Sequence, residues 1–173
     1  MLPAMVCGQQ VVAPSSPILT IDQERLYAES LWGKRAEAEI AAANKDLQTE
    51  NNRIEAELTA EEKSLTDRRP TTPPADFRKL ADDFDQRVTG IRDAQDRKGR
   101  EIAARRDQAR QDFFSAALPV MADLLRARGA VAILDNRAVF VAASSIDATE
   151  EMRKRLDEVL GAGPALPGAP AAP

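Results

Sequence analysis

Apolar residues recur every seven positions on both sides of a proline cluster, and this spacing limits the chain to few folds. Ile40, Leu47 and Ile54 are seven apart. Leu58 and Leu65 make a second row that begins four residues after Ile54 and extends backwards through Asn51 and Asn44. This alternation is that of a coiled-coil seam with Asn at two of its positions, which lowers stability and either fixes register or marks a seam that is only partly buried. Beyond the prolines, Phe77, Phe84 and Ile91 form one row, and Ala81, Val88, Gln95, Ile102 and Ala109 form its companion. The first row then turns polar at Lys98, Arg105 and Asp112, which a fully buried dimeric coiled coil would not do. Residues 113–125 are strongly apolar, and Pro119 among them should bend the helix, because proline lacks a backbone donor and clashes with the preceding turn. Between the two patterns stand Pro70, Pro73 and Pro74, with Asp67 and Thr72 suited to turn or cap positions. The spacing therefore predicts an antiparallel helical hairpin over 33–127 with its tip near 66–76. An arm of about 32 residues reaches roughly 48 Å from its root.

Composition agrees with thin apolar stripes. The chain has 173 residues, of which 4% are aromatic and 30% charged. Such a chain suits long amphipathic helices better than a thick core, and partner chains would complete the burial of its apolar surface. The formal charge of −4 and pI near 5 argue against nucleic-acid binding. There is no histidine, and Cys7 is the lone cysteine. An intrachain disulfide is therefore excluded, and a zinc site of the usual Cys/His type nearly so.

The two ends read differently from the middle. Residues 1–17 carry no Lys or Arg, whereas a secretory signal has a basic start and an apolar stretch of about 7–15 residues. The segment reads either as a flexible tail or as the remnant of a signal peptide, and "AMVC" is a poor lipid-attachment match for Cys7. Residues 161–173 contain only Gly, Ala, Pro and Leu, and read as a disordered tail without a packed element. No segment is long and apolar enough to span a membrane.

Short strand-like segments flank the hairpin. "ILTID" (18–22) alternates apolar and polar residues. "VAILD" (131–135) and "AVFVAA" (138–143) are separated by Asn136 and Arg137, a plausible tight turn between antiparallel strands. Gly129 is a helix stop after "LLRAR". "DATEEMRKRLDEVLG" reads as a last helix, with Asp147 as N-cap and Glu150 three residues on. The fold class expected is mainly α, with a long hairpin inserted into a small β-strand base formed by 18–32 and 128–160. Three strands cannot hide both faces, so this base is expected to oligomerise.

These pieces resemble the Skp/OmpH family of periplasmic chaperones for outer-membrane proteins. "ILTIDQERLYAESLWGKRAEAEI", the helix-tip-helix order, and the closing "LPVMADLLRARGAVAILDNRAVFVAASSIDATEEMRKRLDEVL" carry the resemblance. It implies a homotrimer whose strands build a barrel-like body, with Ile18, Ile21, Val131, Ile133, Val139 and Val141 in its core. Three hairpins would hang from that body around a cavity for unfolded outer-membrane proteins, near a membrane surface. The chain departs from the family in being acidic and in its Pro-Thr-Thr-Pro-Pro tip, and no basic lipopolysaccharide site is recognisable.

No catalytic constellation, phosphate loop, metal site or cofactor site appears in the sequence. The implied function is an ATP-independent holdase; the alternative is a coiled-coil scaffold or tether without a client pocket. A hairpin adaptor of an efflux or secretion system would need substantial β domains on both flanks, and the N-terminal flank here is one short strand. Charge is unevenly spread, with 11 acidic and 6 basic residues over 18–65 but 8 acidic and 10 basic over 77–112. The basic second arm reads either as ion pairing within the hairpin or as an attractive cavity wall. Candidate client-binding residues are Arg68, Arg69, Phe77, Arg78 and Lys79 at the tip, and Arg87, Arg92 and Arg97 along the second arm.

Overall fold

A computed structural model describes residues 18–167. Residues 1–17, read above as a tail or signal remnant and containing Cys7, and the last six residues lie outside the described residues. The elements are β1 (Ile18–Ile21), α1 (Gln23–Glu29), α2 (Leu31–Arg68), α3 (Pro74–Arg128), β2 (Ala132–Asp135) and α4 (Thr149–Leu160). Short 3-10 turns interrupt the connections. Among the described residues no helix is long and apolar enough to cross a membrane.

The expected hairpin is present. α2 ends at Arg68, and the chain reverses through Arg69, the prolines and Thr72. The Thr72 hydroxyl donates to the Arg68 carbonyl at 2.8 Å, and the Phe77 N–H donates to the Pro73 carbonyl at 2.9 Å. Pro74 opens α3, a position where the missing N–H would have no helical partner anyway. Asp67 does not cap the turn; it pairs with Lys63 inside the last turns of α2. α3 runs through Pro119 as one helix and stops at Gly129, which is left-handed at φ 60°.

The core sits at the root of the hairpin. Leu26 and Tyr27 of α1, Trp32 and Ala36 of α2, Phe113, Ala117 and Leu124 of α3, and Met152 and Leu156 of α4 close on one another. α1 and α2 meet at a corner that the heptad spacing does not reveal. The Ser30 hydroxyl caps α2 by accepting from the Gly33 N–H and also donates to the Tyr27 carbonyl. Gly33 lies so close that a Cβ there would stand 1.8 Å from the Tyr27 carbonyl oxygen. Only glycine lets the two helices approach this way.

The β base differs from expectation in three respects. β1 pairs with β2 in parallel, Leu19 opposite Ile133 and Ile21 opposite Asp135. The 138–143 strand and its antiparallel turn do not form. A two-residue hairpin turn of the favoured type needs positive φ at both central residues, and no non-glycine residue described has one. Instead the Asp135 carboxylate accepts from the Arg137 N–H at 2.9 Å and starts a 3-10 turn over Asn136–Ala138. Finally, β1 does not alternate. Leu19, Thr20 and Ile21 are all buried while Ile18 is partly exposed. β2 lies along one edge of β1, and the segment at Asp147 and Ala148 bridges to the other through the Ala148 N–H and the Thr20 carbonyl, 2.8 Å apart.

Candidate functional site

Two surfaces of this fold are candidates: the long arm, and the exposed apolar side chains of the base. On the arm, burial follows the seven-residue rows but remains partial. Ile40 and Ile102 near the root are buried, whereas Leu47, Ile54, Leu58, Leu65, Phe77, Phe84, Val88 and Ile91 are half-buried. Asn44 is exposed and Asn51 half-buried. The seam is therefore shallow, as the polar positions in it suggested, and the outer arm has little to bury against in one chain.

An open groove of about 650 Å³ lies between the helices halfway out. Ile54 and Leu58 on α2, and Phe84, Val88 and Ile91 on α3, give it an apolar floor, with Arg92 at its margin. Gln95 also lines it, and its side-chain oxygen is buried without a hydrogen-bond partner among the described residues. Such a groove offers non-directional apolar contact and little shape selectivity.

The basic residues of α3 divide into two sets. Arg87 pairs with Glu61 and lies over the Phe84 ring; Lys98 pairs with Glu50 at 2.6 Å; Arg106 pairs with Glu37 at 3.3 Å. All three join α3 to α2, so they brace the hairpin. The hydrogen bond from Lys98 also holds the Glu50 carboxyl below its ordinary range. Arg92 and Arg97 have no ion-pair partner among the described residues and face solvent. At the tip, Arg68, Arg78 and Lys79 are exposed, while Arg69 stacks 5.7 Å from the centre of the half-buried Phe77 ring. The structure thus brings Phe77 and Arg69 together at the tip, and Phe84, Arg87 and Arg92 together at the groove. It does not join the two groups into one site.

At the base, apolar side chains are left uncovered. Val131 is 79% exposed, Val141 80%, and Phe140 wholly so. Ile133 and Val139 are half-buried and Ile21 is buried. A shallow cleft beside β2 is lined by Phe114, Leu118, Met121, Ile133 and Leu134.

A cluster at the arm root carries no sequence signal in the heptad rows. Phe113 stands edge-on to Tyr27, Trp32 and Phe114, with ring centres 5.2, 5.9 and 5.1 Å apart. Arg110 lies over both Tyr27 and Phe114 and reaches Glu24 with both terminal nitrogens at 2.7 and 2.8 Å. Arg137 joins Glu24 as well, and its hydrogen bonds hold the Asp135 carboxyl below its ordinary range. The signal that would have found this cluster is the crowding of four of the chain's seven aromatic residues at 27–32 and 113–114. Among the described residues no acidic or cysteine cluster is placed to hold a metal ion.

The family model for outer membrane proteins of the OmpH-like type matches residues 17–156, most of the chain. This chain belongs to the OmpH-like family. Among solved structures, the OmpH-like chain is similar to a crystal structure described as a proposed outer membrane chaperone (OmpH-like) from Caulobacter crescentus CB15. That match has a TM-score of 0.77 at 20% identity and covers 92% of this chain and 95% of the other. At that identity the likeness concerns the fold: a helical hairpin on a small base. No curated protein sequence matches the OmpH-like chain.

Proposed function

We propose that this chain is an ATP-independent periplasmic holdase that binds unfolded outer-membrane β-barrel proteins between the helical arms of a homotrimer. The observation that carries the reading is the arm itself. It is a long hairpin whose seam stays half-open along its outer length, with an apolar groove and unpaired arginines beside it. Family membership and the described role of the Caulobacter protein support the same reading. A holdase needs many weak, sequence-tolerant contacts, because its clients share apolar surface and no common sequence. Arg92 and Arg97, with Arg68, Arg78 and Lys79 at the tip, supply the charge attraction, while Arg87 mainly braces the hairpin.

The base supports the oligomeric part of this reading. A two-stranded sheet is marginal by itself, and the 139–143 segment, which forms no strand, leaves Phe140 and Val141 exposed and Val139 half-buried. Exposed apolar side chains of this kind invite burial against another chain. In the trimer these segments, with Val131 and Ile133, meet their counterparts in neighbouring subunits.

The deciding experiment measures oligomer mass by sedimentation and then the solubility of an unfolded β-barrel membrane protein diluted from denaturant, without nucleotide. Soluble client at stoichiometric trimer is expected. A trimer that leaves the client to aggregate would favour a structural tether, for which the interhelical ion pairs would be the main purpose of the arm charges. A well-folded monomer would remove the cavity altogether.

A further inference from the structure

Residues 161–167 fold back across the first turns of α2, where the sequence reading expected no packed element. Gly163, left-handed at φ 67°, lies flat on the Trp32 indole, so close that a Cβ would stand 2.2 Å from the ring. The Arg35 Nε–H donates to the Ala162 carbonyl at 2.6 Å, and the Leu166 N–H donates to Glu39 Oε2 at 2.9 Å. Arg35 and Glu39 also pair with each other at 3.0 Å, so both groups are held in place. The Leu166 side chain packs against the edge of the core.

Nearly all of these contacts are made to main-chain atoms or to one apolar side chain. An apolar segment with a glycine placed against the indole carries the same groups: a carbonyl, and an N–H four residues further on. Two donors on the receiving surface remain unused. The Trp32 indole N–H and the Arg35 Nη2 group are buried and have no hydrogen-bond partner among the described residues, and Trp32 itself is only 6% exposed. Buried donors of this kind are ordinarily satisfied, so the surface has more hydrogen-bonding capacity than its present occupant uses.

We propose that Trp32, Arg35 and Glu39 form a binding site for a glycine-containing apolar polypeptide segment, occupied in cis by the chain's own residues 162–166. The site lies at the arm root, apart from the open groove, and recognises main-chain atoms together with a glycine seated on the indole. Its own tail keeps it closed, since tethering supplies an effective concentration on the order of millimolar. A segment from another polypeptide enters only when the strap leaves.

Trp32 is the only tryptophan, so its emission reports the strap directly. The test uses the full-length chain with Gly163→Val, which places a side chain against the indole, and as a second variant the chain ending at Gly161. Both are expected to keep their helical circular dichroism while Trp32 emission moves to longer wavelength and acrylamide quenching rises. A peptide of sequence GAGPALP, matching 161–167, titrated to millimolar concentration, should reverse both changes saturably in each variant and leave the unmodified chain unaffected. Adding Arg35→Gln and Glu39→Gln should abolish the reversal. Unchanged Trp32 emission in both variants would overturn the proposal, as would failure of the peptide to reverse it. An equal response of the unmodified chain would show that the site is not held closed. Loss of helical signal in both variants would make the strap an integral part of the base rather than the occupant of a site.

Discussion

Replacing Phe113 with alanine tests where the stability of this molecule resides. Its ring is 1% exposed and meets three other aromatic rings edge-on. Truncating a buried Phe costs about 3–5 kcal/mol, and the ring contacts place this site toward the upper end. Phe84, half-buried over an open groove, gives the contrast. Fully burying such a side chain contributes about 1.5–3 kcal/mol. Half burial without an enclosed cavity puts Phe84→Ala near ~1 kcal/mol by the same scale. With a urea dependence of about 2 kcal/mol per molar, Phe113→Ala should lower the unfolding midpoint by about 2 M and Phe84→Ala by about 0.5 M. Circular dichroism follows the helices and Trp32 emission follows the root, both at one fixed chain concentration because assembly shifts apparent stability. Equal midpoint shifts for the two variants would refute the view that the root anchors the arm.

Other substitutions probe separate parts of the same account. Gly33→Ala places a methyl 1.8 Å from the Tyr27 carbonyl; it should force α1 from α2 and shift the midpoint at least as far as Phe113→Ala, and an unchanged midpoint would mean the corner is not close-packed. Gly90 and Gly99 have open space where a Cβ would go, so Gly90→Ala and Gly99→Ala should each stabilise the arm by about 0.5–1 kcal/mol, measured by thermal unfolding. Hydrogen bonds from Thr149 hold the Asp147 carboxyl below its ordinary range. A carboxyl depressed in the folded state stabilises above its unfolded pKa of about 3.9, and that stabilisation is lost as pH falls through the lower folded value. Asp147→Asn should therefore cost stability at pH 7 and flatten the acid limb of the stability curve below about pH 4. An acid limb that does not change would place the titration elsewhere.

The arms were legible because their burial is periodic. Apart from the exposed Asn44, the seam residues from Ile40 to Leu65 are buried or half-buried, as are Gln95 and the apolar seam residues from Phe77 to Ile102, and Asn51 and Gln95 marked a shallow interface. The proline turn and the Gly129 stop were legible because those residues restrict backbone geometry directly. The 138–143 segment misled for the opposite reason. Val139, Phe140 and Val141 have strong strand preference, but that preference reports fitness for a sheet surface and not the presence of a neighbour. The alternation in β1 also failed, because Thr20 is as fully buried as Leu19 and Ile21, so both faces of the strand are covered, a tertiary fact. The corner at Ser30 rests on one hydroxyl, and the strap over Trp32 rests on the Ala162 carbonyl and the Leu166 N–H. Main-chain atoms are the same in every residue, so composition could not point to them. As for the arm residues, sequence reading found the basic excess of α3, and only the geometry separates Arg87, Lys98 and Arg106, which face α2 carboxylates, from Arg92 and Arg97, which do not.

The parallel pairing of β1 with β2 has a consequence for how the chain comes to be folded. Residues opposite each other in that pair are separated by the whole length of the arm, and contacts so distant in sequence are slow to form. The hairpin changes that search. Contacts between α2 and α3 near the tip are the most local in sequence, and zipping from there toward the root would deliver Ile18 and Ala132 to the same place without a free loop of that length being closed. The entropy of closure then depends on the few residues between each strand and its helix, and it rises only slowly with loop length in any case. Asp147 and Ala148 complete the other edge of β1. The arm is therefore also the ruler by which the base finds its own register, and shortening it by matched deletions in α2 and α3 should quicken, not hinder, the folding of the base.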